Sequence, residues 1–450
     1  MFPGKSWSPK YRRDRRNCWK GWNWNWRWIR ASFRTRPLIG WLRDVPDPRS
    51  SRSKPHELAE IFVCIIMGLL AGKTKLRRIV RWGKRHLEEL RGHMPFPNGV
   101  PSVSTMSRVL AAVDEEMVSL ALINWIGEVF DTRGIHIAID GKGLRAAARK
   151  VRDEKTPYIL NAVDAASRLV IGQLVIQEKT NEMTAIPELV ELLEIEGSTV
   201  TTDAIGATEN IMNAICDNGG EFVIQVKKNC PELYAELMSL FEGLSEDREK
   251  DPEEFQDKYG RHYSEAKTAE KNRERYEYRT SQSYSNPGGI QEGRPHIASV
   301  GRAKQVRIMQ VQDSCGNDMT PCLKEFLEKG SIKQPKPAGA EGNGHDEEWF
   351  GLVASKALDA EEMLDYKRQH WAIENCLHYV LDETFGEDRS TIKLGKNTMS
   401  LLRKCAYNIA RLLQMEKPEG QESIPDIIDN VCDNLEIGFQ MIFSPIPSRY

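Results

Sequence analysis

The nine cysteines of this 450-residue chain form no CxxC pair and no Cys/His ligand spacing. That excludes a zinc ribbon or finger, and an odd, unpatterned set reads as reduced thiols rather than a disulfide framework. Long hydrophobic runs are also missing. The longest, Ile61 to Ala71, is about half of what spans a bilayer. The N-terminus is basic and Trp-rich and lacks the apolar stretch of a signal peptide. No internal repeat is visible. These absences lead us to expect a cytoplasmic protein with no membrane partner.

Net charge is nearly absent too, at −2, but its distribution is lopsided. Residues 1–45 carry 12 Lys/Arg and 2 Asp, which leaves a formal −12 on the rest of the chain. A basic arm on an acidic body suits an arm that touches nucleic acid and a body that holds metal. Seven of the eleven tryptophans fall in the same arm, five of them at Trp19, Trp22, Trp24, Trp26 and Trp28. Arginine interleaved with aromatic rings can grip phosphate while rings stack on bases. A disordered tail, or an extension from a start codon placed too far upstream, explains the composition equally well.

The length predicts two or three domains. From Pro55 the pattern is helical: Leu58, Ile61, Phe62, Ile65, Ile66 and Leu69 recur at three- and four-residue spacing and predict one buried helix face. A cationic helix follows, with Lys73, Lys75, Arg77, Arg78 and Arg81 outward and Leu76, Ile79, Val80 and Gly83 inward. After the Pro/Gly break at 95–101, Ser102 or Ser104 would cap a further helix that carries Arg108. Helix, turn and capped helix is the plan of a helix-turn-helix, with the basic residues, Ser104 and Arg108 toward DNA. A solvated basic face is the other reading.

At Gly134 the period changes to strands. Ile135–Asp140, Tyr158–Val163 and Leu169–Glu178 are expected strands, the last two joined by a hairpin turn at 165–168. Then come a helix over Glu182–Glu194, a strand Val200–Asp203, a helix Ala207–Asn218 and a strand Glu221–Lys227. Three strands, helix, strand, helix, strand is the order of a ribonuclease H-like α/β fold, in which the first and fourth strands are neighbours. Residues 243–290 are charged and polar and read as an inserted, partly mobile segment, with strands suggested at Glu277–Arg279 and Ile297–Val311 within or closing it, and 329–347 as a Gly/Pro-rich linker. Helix resumes from Ala360 to about Glu387 and from about Thr398 to Met415. The expected division is a basic arm (1–45), a helical DNA-binding region (46–130), a catalytic α/β core (131–415, insertion about 235–345) and a C-terminal tail (416–450).

Three acids stand out in that frame: Asp140 and Asp203 at strand ends, and Glu374 on the later helix, on one face with Trp371 and His378. Two divalent cations about 4 Å apart stabilise both the attacking and the leaving oxygen of a phosphoryl displacement. Mg²⁺ or Mn²⁺ takes such oxygen ligands. Asp140 would bridge both ions, Asp203 would complete one and Glu374 the other. Each acid taken alone has a plainer reading, as a turn former or a helix cap for the two aspartates.

The motifs reach further when taken in order. They are Asp140-Gly141-Lys142, Lys179 through Pro187, Val200 through Ala204, Phe222 through Asn229, and His370 through His378 running on to Phe385-Gly386-Glu387-Asp388-Arg389. With Asp47-Pro48-Arg49 and Gly99-Val100-Pro101-Ser102 ahead of them, the chain over about residues 40–415 resembles the H-repeat-associated family of bacterial insertion-sequence transposases, among the DDE transposases. The resemblance implies DNA cleavage and strand transfer by Asp140, Asp203 and Glu374. It also implies terminal inverted repeats and target DNA as partners, and a homodimer in the synaptic complex. Related enzymes place Tyr, Arg and Lys around the glutamate. Here Tyr366 and Arg368 precede it at other spacings, and Leu381 stands seven residues after it where lysine is expected. Lys227, Lys228 or Arg389 would then supply phosphate contacts, and His378 would orient Glu374 or a water from behind, or be a satisfied core histidine. Three rivals remain: a metal-dependent endonuclease that does not join ends, a DNA-binding relic that no longer catalyses, and a structural protein.

Overall fold

Side-chain alternation along the strands sorts this molecule into faces. The computed structural model describes residues 36–50, 54–143, 158–176, 182–272, 275–309, 349–390, 392, 394–418 and 422–446. The Trp-rich run 19–28 and the Gly/Pro-rich segment 329–347 lie outside them, as do the last two residues of the strand expected to end at Glu178. Among the described residues no helix is long and apolar enough to cross a membrane, and the six described cysteines are free thiols.

Among the described residues six helices come first: α1 (Leu38–Asp44), α2 (Leu58–Leu70), α3 (Leu76–Arg85), α4 (Leu87–Arg91), α5 (Val103–Ala112) and α6 (Glu115–Val129). The sequence predicts one buried face for α2, yet all of its residues are buried. The cover comes from far along the chain. α1, α3, α14 (Lys396–Met415), α15 (Ile424–Asp433) and α16 (Leu435–Phe443) all pack against α2. The segment read as a C-terminal tail thus contributes two of those helices. Glu60, wholly buried on α2, keeps both oxygens satisfied: Oε2 accepts the Glu57 N–H at 3.1 Å and Oε1 the Phe96 N–H at 2.7 Å. The expected helix-turn-helix is looser than predicted, because α4 and the 92–102 loop separate α3 from α5. Ser102 does cap α5, its Oγ accepting from the Thr105 N–H at 3.1 Å.

The remainder is a mixed α/β body around a nine-stranded sheet. Its strands are β1 (His136–Gly143), β2 (Tyr158–Asp164), β3 (Val170–Ile176), β4 (Thr199–Thr202), β5 (Glu221–Val226), β6 (Tyr263–Asn272), β7 (Arg275–Ser285), β8 (Ser299–Met309) and β9 (Phe350–Ala354), in the order β3-β2-β1-β4-β5-β9-β8-β7-β6. β1, β4 and β5 are parallel. The expected hairpin turn is present: Arg168 adopts φ +62° and its N–H reaches the Asp164 carbonyl at 2.8 Å. Helices α7 (Glu182–Leu192) and α8 (Glu209–Asp217) link the parallel strands. The segment read as an insertion is built of helices and strands over its described residues. It supplies α9 (Pro231–Lys250), α10 (Pro252–Tyr259), the short α11 (Gly288–Gln291) and β6–β8, which lengthen the same sheet beyond β9. Each of those polar strands has a paired neighbour, so ladder hydrogen bonds compensate for the missing apolar pattern.

One helix crosses the sheet. α12 (Ala360–His370) contacts β1, β4, β5, β6, β7 and β8. A π-helical turn (Ile373–His378) and α13 (Tyr379–Glu383) follow it.

Candidate active site

A two-residue period brings the site together. His136, Ala138, Asp140 and Lys142 share one face of β1, and Thr199, Thr201 and Asp203 share the same face along β4. Contacts identify it as the face under α12. His136 meets Gln369 Oε1 through Nδ1 and Thr201 Oγ1 through Nε2, each at 2.9 Å. Thr201 Oγ1 also meets His370 Nδ1 at 3.0 Å, and Thr199 Oγ1 meets Tyr366 OH at 3.3 Å. Lys356 Nζ donates to both Thr199 Oγ1 and Tyr366 OH, at 2.9 and 2.8 Å. Burial holds His370 far below its ordinary pKa and lowers His136 as well.

The β1/β4 register pairs Ile139 with Thr202, so the next residue of each strand, Asp140 and Asp203, stand side by side. Asp203 also caps the short 3₁₀ turn Ala204–Gly206, its Oδ1 accepting from the Ile205 N–H at 3.0 Å. The cap holds the carboxylate in place; here the structural role and the site position coincide.

Glu374 is not placed as expected. The spacing to Trp371 and His378 predicts an inward-facing glutamate, whereas Glu374 is exposed. The π-helical turn is the reason. Its i→i+5 bonding widens the turn, so Ile373 and Leu377 take the buried side and Glu374 the open one. π turns of this kind are frequent at functional sites.

These acids feel each other. The Asp140 carboxyl is pushed up to about 7, first by burial, then by Asp203, with Glu374 and Glu182 adding to the effect. Glu182, at the start of α7 and 3 % exposed, is a fourth acid that the reading of motifs did not single out. It and Tyr158 fill the space a side chain would take at Gly141. A Cβ there would sit 2.1 Å from Tyr158 Cε1 and 2.4 Å from Glu182 Oε1. Glycine after Asp140 is therefore a packing requirement.

Lys227 and Lys228 follow β5 and are exposed. The partner missed is Lys367 on α12, whose Nζ donates to Gln225 Oε1 at 2.6 Å. Burial and the nearby Lys227 lower it to about 8, against the pull of Asp203, Glu374 and Asp140. Arg389 pairs with Glu383 at 2.9 Å and donates to its carbonyl. Arg368 turns away to Glu270 and Asp365.

Beneath the site lies a buried ionic network. Lys142 Nζ bonds Asp382 Oδ1 at 2.5 Å and the His378 carbonyl at 3.3 Å, and approaches Glu387 Oε2 at 3.2 Å. Glu387 is lowered to about 2 by Lys404, Lys142 and Arg403, which outweigh its burial. Ser400 Oγ donates to Glu387 Oε1 at 2.5 Å and accepts from Lys404 Nζ at 2.9 Å. The network ties α13 and α14 to β1. His378 sits at its edge, held to about 3 by burial and therefore neutral, with Nδ1 3.7 Å from Asp140 Oδ2. That distance is too long for a hydrogen bond.

The donor chemistry suits a hard divalent cation. Asp140, Asp203 and Glu374 offer only oxygen, and a cation would relieve the crowding that keeps Asp140 protonated near neutrality. Two buried polar atoms beside Asp140 have no hydrogen-bond partner among the described residues: Asn161 Oδ1, directly across β2, and His378 Nε2. Among the described residues no three His, Cys, Asp or Glu side chains are gathered at ligand distance. The three carboxylates would have to draw closer to share ions.

Comparisons with known proteins agree with this picture. The family described as "DDE_Tnp_1-associated" matches residues 39–126, and the family described as "Transposase DDE domain" matches residues 131–409. "Putative transposase YncI" of Escherichia coli O157:H7 is 29 % identical over 385 residues, covering 83 % of this chain and 87 % of that one. "H repeat-associated putative transposase YhhI" of Escherichia coli K12 is 29 % identical over 377 residues, covering 83 % and 89 %. A shorter match, 28 % over 74 residues (16 % of this chain and 88 % of the other), is to "Inactive transposase YbfQ" of the same strain. A solved piggyBac transposase complex with hairpin DNA aligns over 92 % of this chain and 80 % of its own at 12 % identity and a TM-score of 0.39, too distant to inform the fold. With a family match over residues 131–409, relatives of nearly full length and the motif order intact, the chain belongs to the H-repeat-associated insertion-sequence DDE transposases.

Proposed function

We propose that this chain cuts insertion-sequence DNA at its terminal inverted repeats and joins the freed 3′ ends to target DNA. Asp140, Asp203 and Glu374 are the catalytic and metal-holding residues in this reading. The observation that carries it is the placement of Asp140 and Asp203 at adjacent parallel strand ends, with Asp140 raised to about 7 by burial and then by the acids around it. The order β3-β2-β1-β4-β5, with β1, β4 and β5 parallel, supports a ribonuclease H-like core in residues 131–415. Residues 46–130 supply the DNA-binding helices.

Two Mg²⁺ or Mn²⁺ ions would stabilise the attacking and leaving oxygens of the displacement. Asp140, Asp203 and Glu374 would hold them. The chain's own groups do the rest. Asp203 is fixed by its cap, Asp140 by the strand, and Glu374 closes from the exposed π turn. Lys367 and Lys227 offer positive charge to the scissile phosphate, and His378 buttresses the Asp140 side of the site. The enzyme works as a homodimer on paired ends, in the cytoplasm with the chromosome.

A relic without activity is the second reading, favoured by the relative named inactive. A labelled fragment ending in the terminal repeat, incubated with Mg²⁺ and wild type or Glu374→Gln, decides. Joined product that vanishes in the variant supports the transposase. Cleavage without joining makes it a nuclease, and binding with neither makes it a relic.

A further inference from the structure

α3 presents an unusual surface. Lys75, just ahead of it, and Arg77, Arg78, Arg81, Lys84 and Arg85 along it are all exposed, and the helix carries no acid. Its other side is anchored by Leu76, Ile79, Val80, Trp82 and Gly83. No carboxylate among the described residues pairs with any of the six cations, whereas Arg91, Arg133, Arg248, Arg279 and Arg294 elsewhere on the surface all have acidic partners. Six uncompensated charges on about three turns of helix repel one another, and a polyanion is the partner that relieves them.

The position of α3 matters as much as its charge. Thr74, one residue before Lys75, packs on Gly386: a Cβ on that glycine would sit 3.1 Å from Thr74 Cβ. Gly386 adopts φ +63°, a conformation that suits glycine and turns the chain under Thr74. Its neighbour Glu387 approaches Lys142 at 3.2 Å, and Lys142 lies two residues beyond Asp140 on the same face of β1. Summed with ordinary strand and side-chain lengths, this path from Asp140 to the start of α3 is under about 30 Å. One turn of B-DNA is about 34 Å, and duplex DNA is stiff over that length. A duplex whose scissile phosphate rests at Asp140 therefore reaches the start of α3 within about one turn.

We infer that α3 grips the same DNA end that its own protomer cuts, so that end binding and cleavage occur in cis. The inference rests on the proposed function and adds to it the division of labour between protomers. Each protomer holds phosphates within about ten base pairs of the bond it breaks. Contacts running through Thr74, Gly386, Glu387 and Lys142 connect the grip to the carboxylate site.

Two experiments test it. The first mixes Glu374→Gln with the triple variant Arg77→Gln/Arg78→Gln/Arg81→Gln on a labelled duplex ending in the terminal repeat. Cis action predicts no cleavage by the mixture, while a control mixture of wild type and Glu374→Gln still cuts. Cleavage by the test mixture above a tenth of the wild-type level would show that one protomer binds and the other cuts, and would overturn the inference. The second needs no catalysis: phosphate-ethylation interference with wild type and with Arg78→Gln, in Ca²⁺. Phosphates whose interference disappears in the variant are expected within about ten base pairs of the repeat's end. Loss confined to positions two or more turns inside, or no loss at all, overturns the inference. If wild type neither cuts nor joins, the proposed function fails, and the interference pattern still reports where α3 sits.

Discussion

Asp140→Asn offers the sharpest physical test of the site. An aspartate in the unfolded chain ionises near 3.8, but in the folded protein Asp140 holds its proton to about 7. A folded-state value raised in this way means that the contribution to stability is complete below the unfolded value and is lost as pH rises toward the folded one. The gap costs about 1.4 kcal/mol per pH unit, or about 4 kcal/mol once pH passes 7. Solvent at the open side of a carboxyl whose side chain is 22 % exposed trims that to about 2–4 kcal/mol. Metal-free wild type should therefore lose stability between pH 4 and 7, and Asp140→Asn should lose far less. At pH 8 the variant should have the higher urea midpoint. Mg²⁺ should raise the melting temperature of wild type at pH 8 and leave the variant nearly unchanged, because binding only to the folded state stabilises it. Urea unfolding and melting curves at pH 5 and pH 8, with EDTA or Mg²⁺, measure all of this. A variant less stable than wild type at pH 8, or an equal Mg²⁺ response in both, would refute the idea that carboxylate crowding defines this site.

Gly141→Ala puts a methyl against Tyr158 and Glu182, and overpacking of this kind should cost about 1–3 kcal/mol, read from the urea midpoint. Glu387→Gln leaves Lys142, Lys404 and Arg403 without their shared anion, so a loss of about 3–5 kcal/mol is expected. Wild type should lose that same contribution as acid titrates from 4.5 toward 2, because Glu387 is depressed rather than raised. Lys367→Met should slow single-turnover cleavage about 100-fold with little change in DNA affinity, and Lys367→Arg should recover part of the rate. An unchanged rate in Lys367→Met would remove this lysine from the phosphate site.

Local pattern carried far in this chain. Period-two runs marked β1 to β5, three- and four-residue spacing marked α2 and α3, and the order of motifs marked Asp140, Asp203 and Glu374 as one set. These are properties of neighbours along the chain, so the sequence alone determines them. The order of elements also predicted β1 beside β4, because that order leaves few arrangements of a parallel sheet.

What the sequence left open depends on partners far away in the chain. α2 is buried on all sides because α14, α15 and α16 return from beyond residue 395 to cover it. The polar strands β6–β8 became part of the main sheet because backbone pairing, which side-chain pattern does not encode, satisfied them. Lys367 and Glu182 entered the site through alternation across three strands and through the space left at Gly141. Glu374 was legible as an acid but not as an exposed one, since a single π turn shifts the face a side chain takes. The sequence thus named the carboxylates. Only tertiary structure decided which charges surround them, because electrostatic coupling depends on separation in space and on burial rather than on position in the chain.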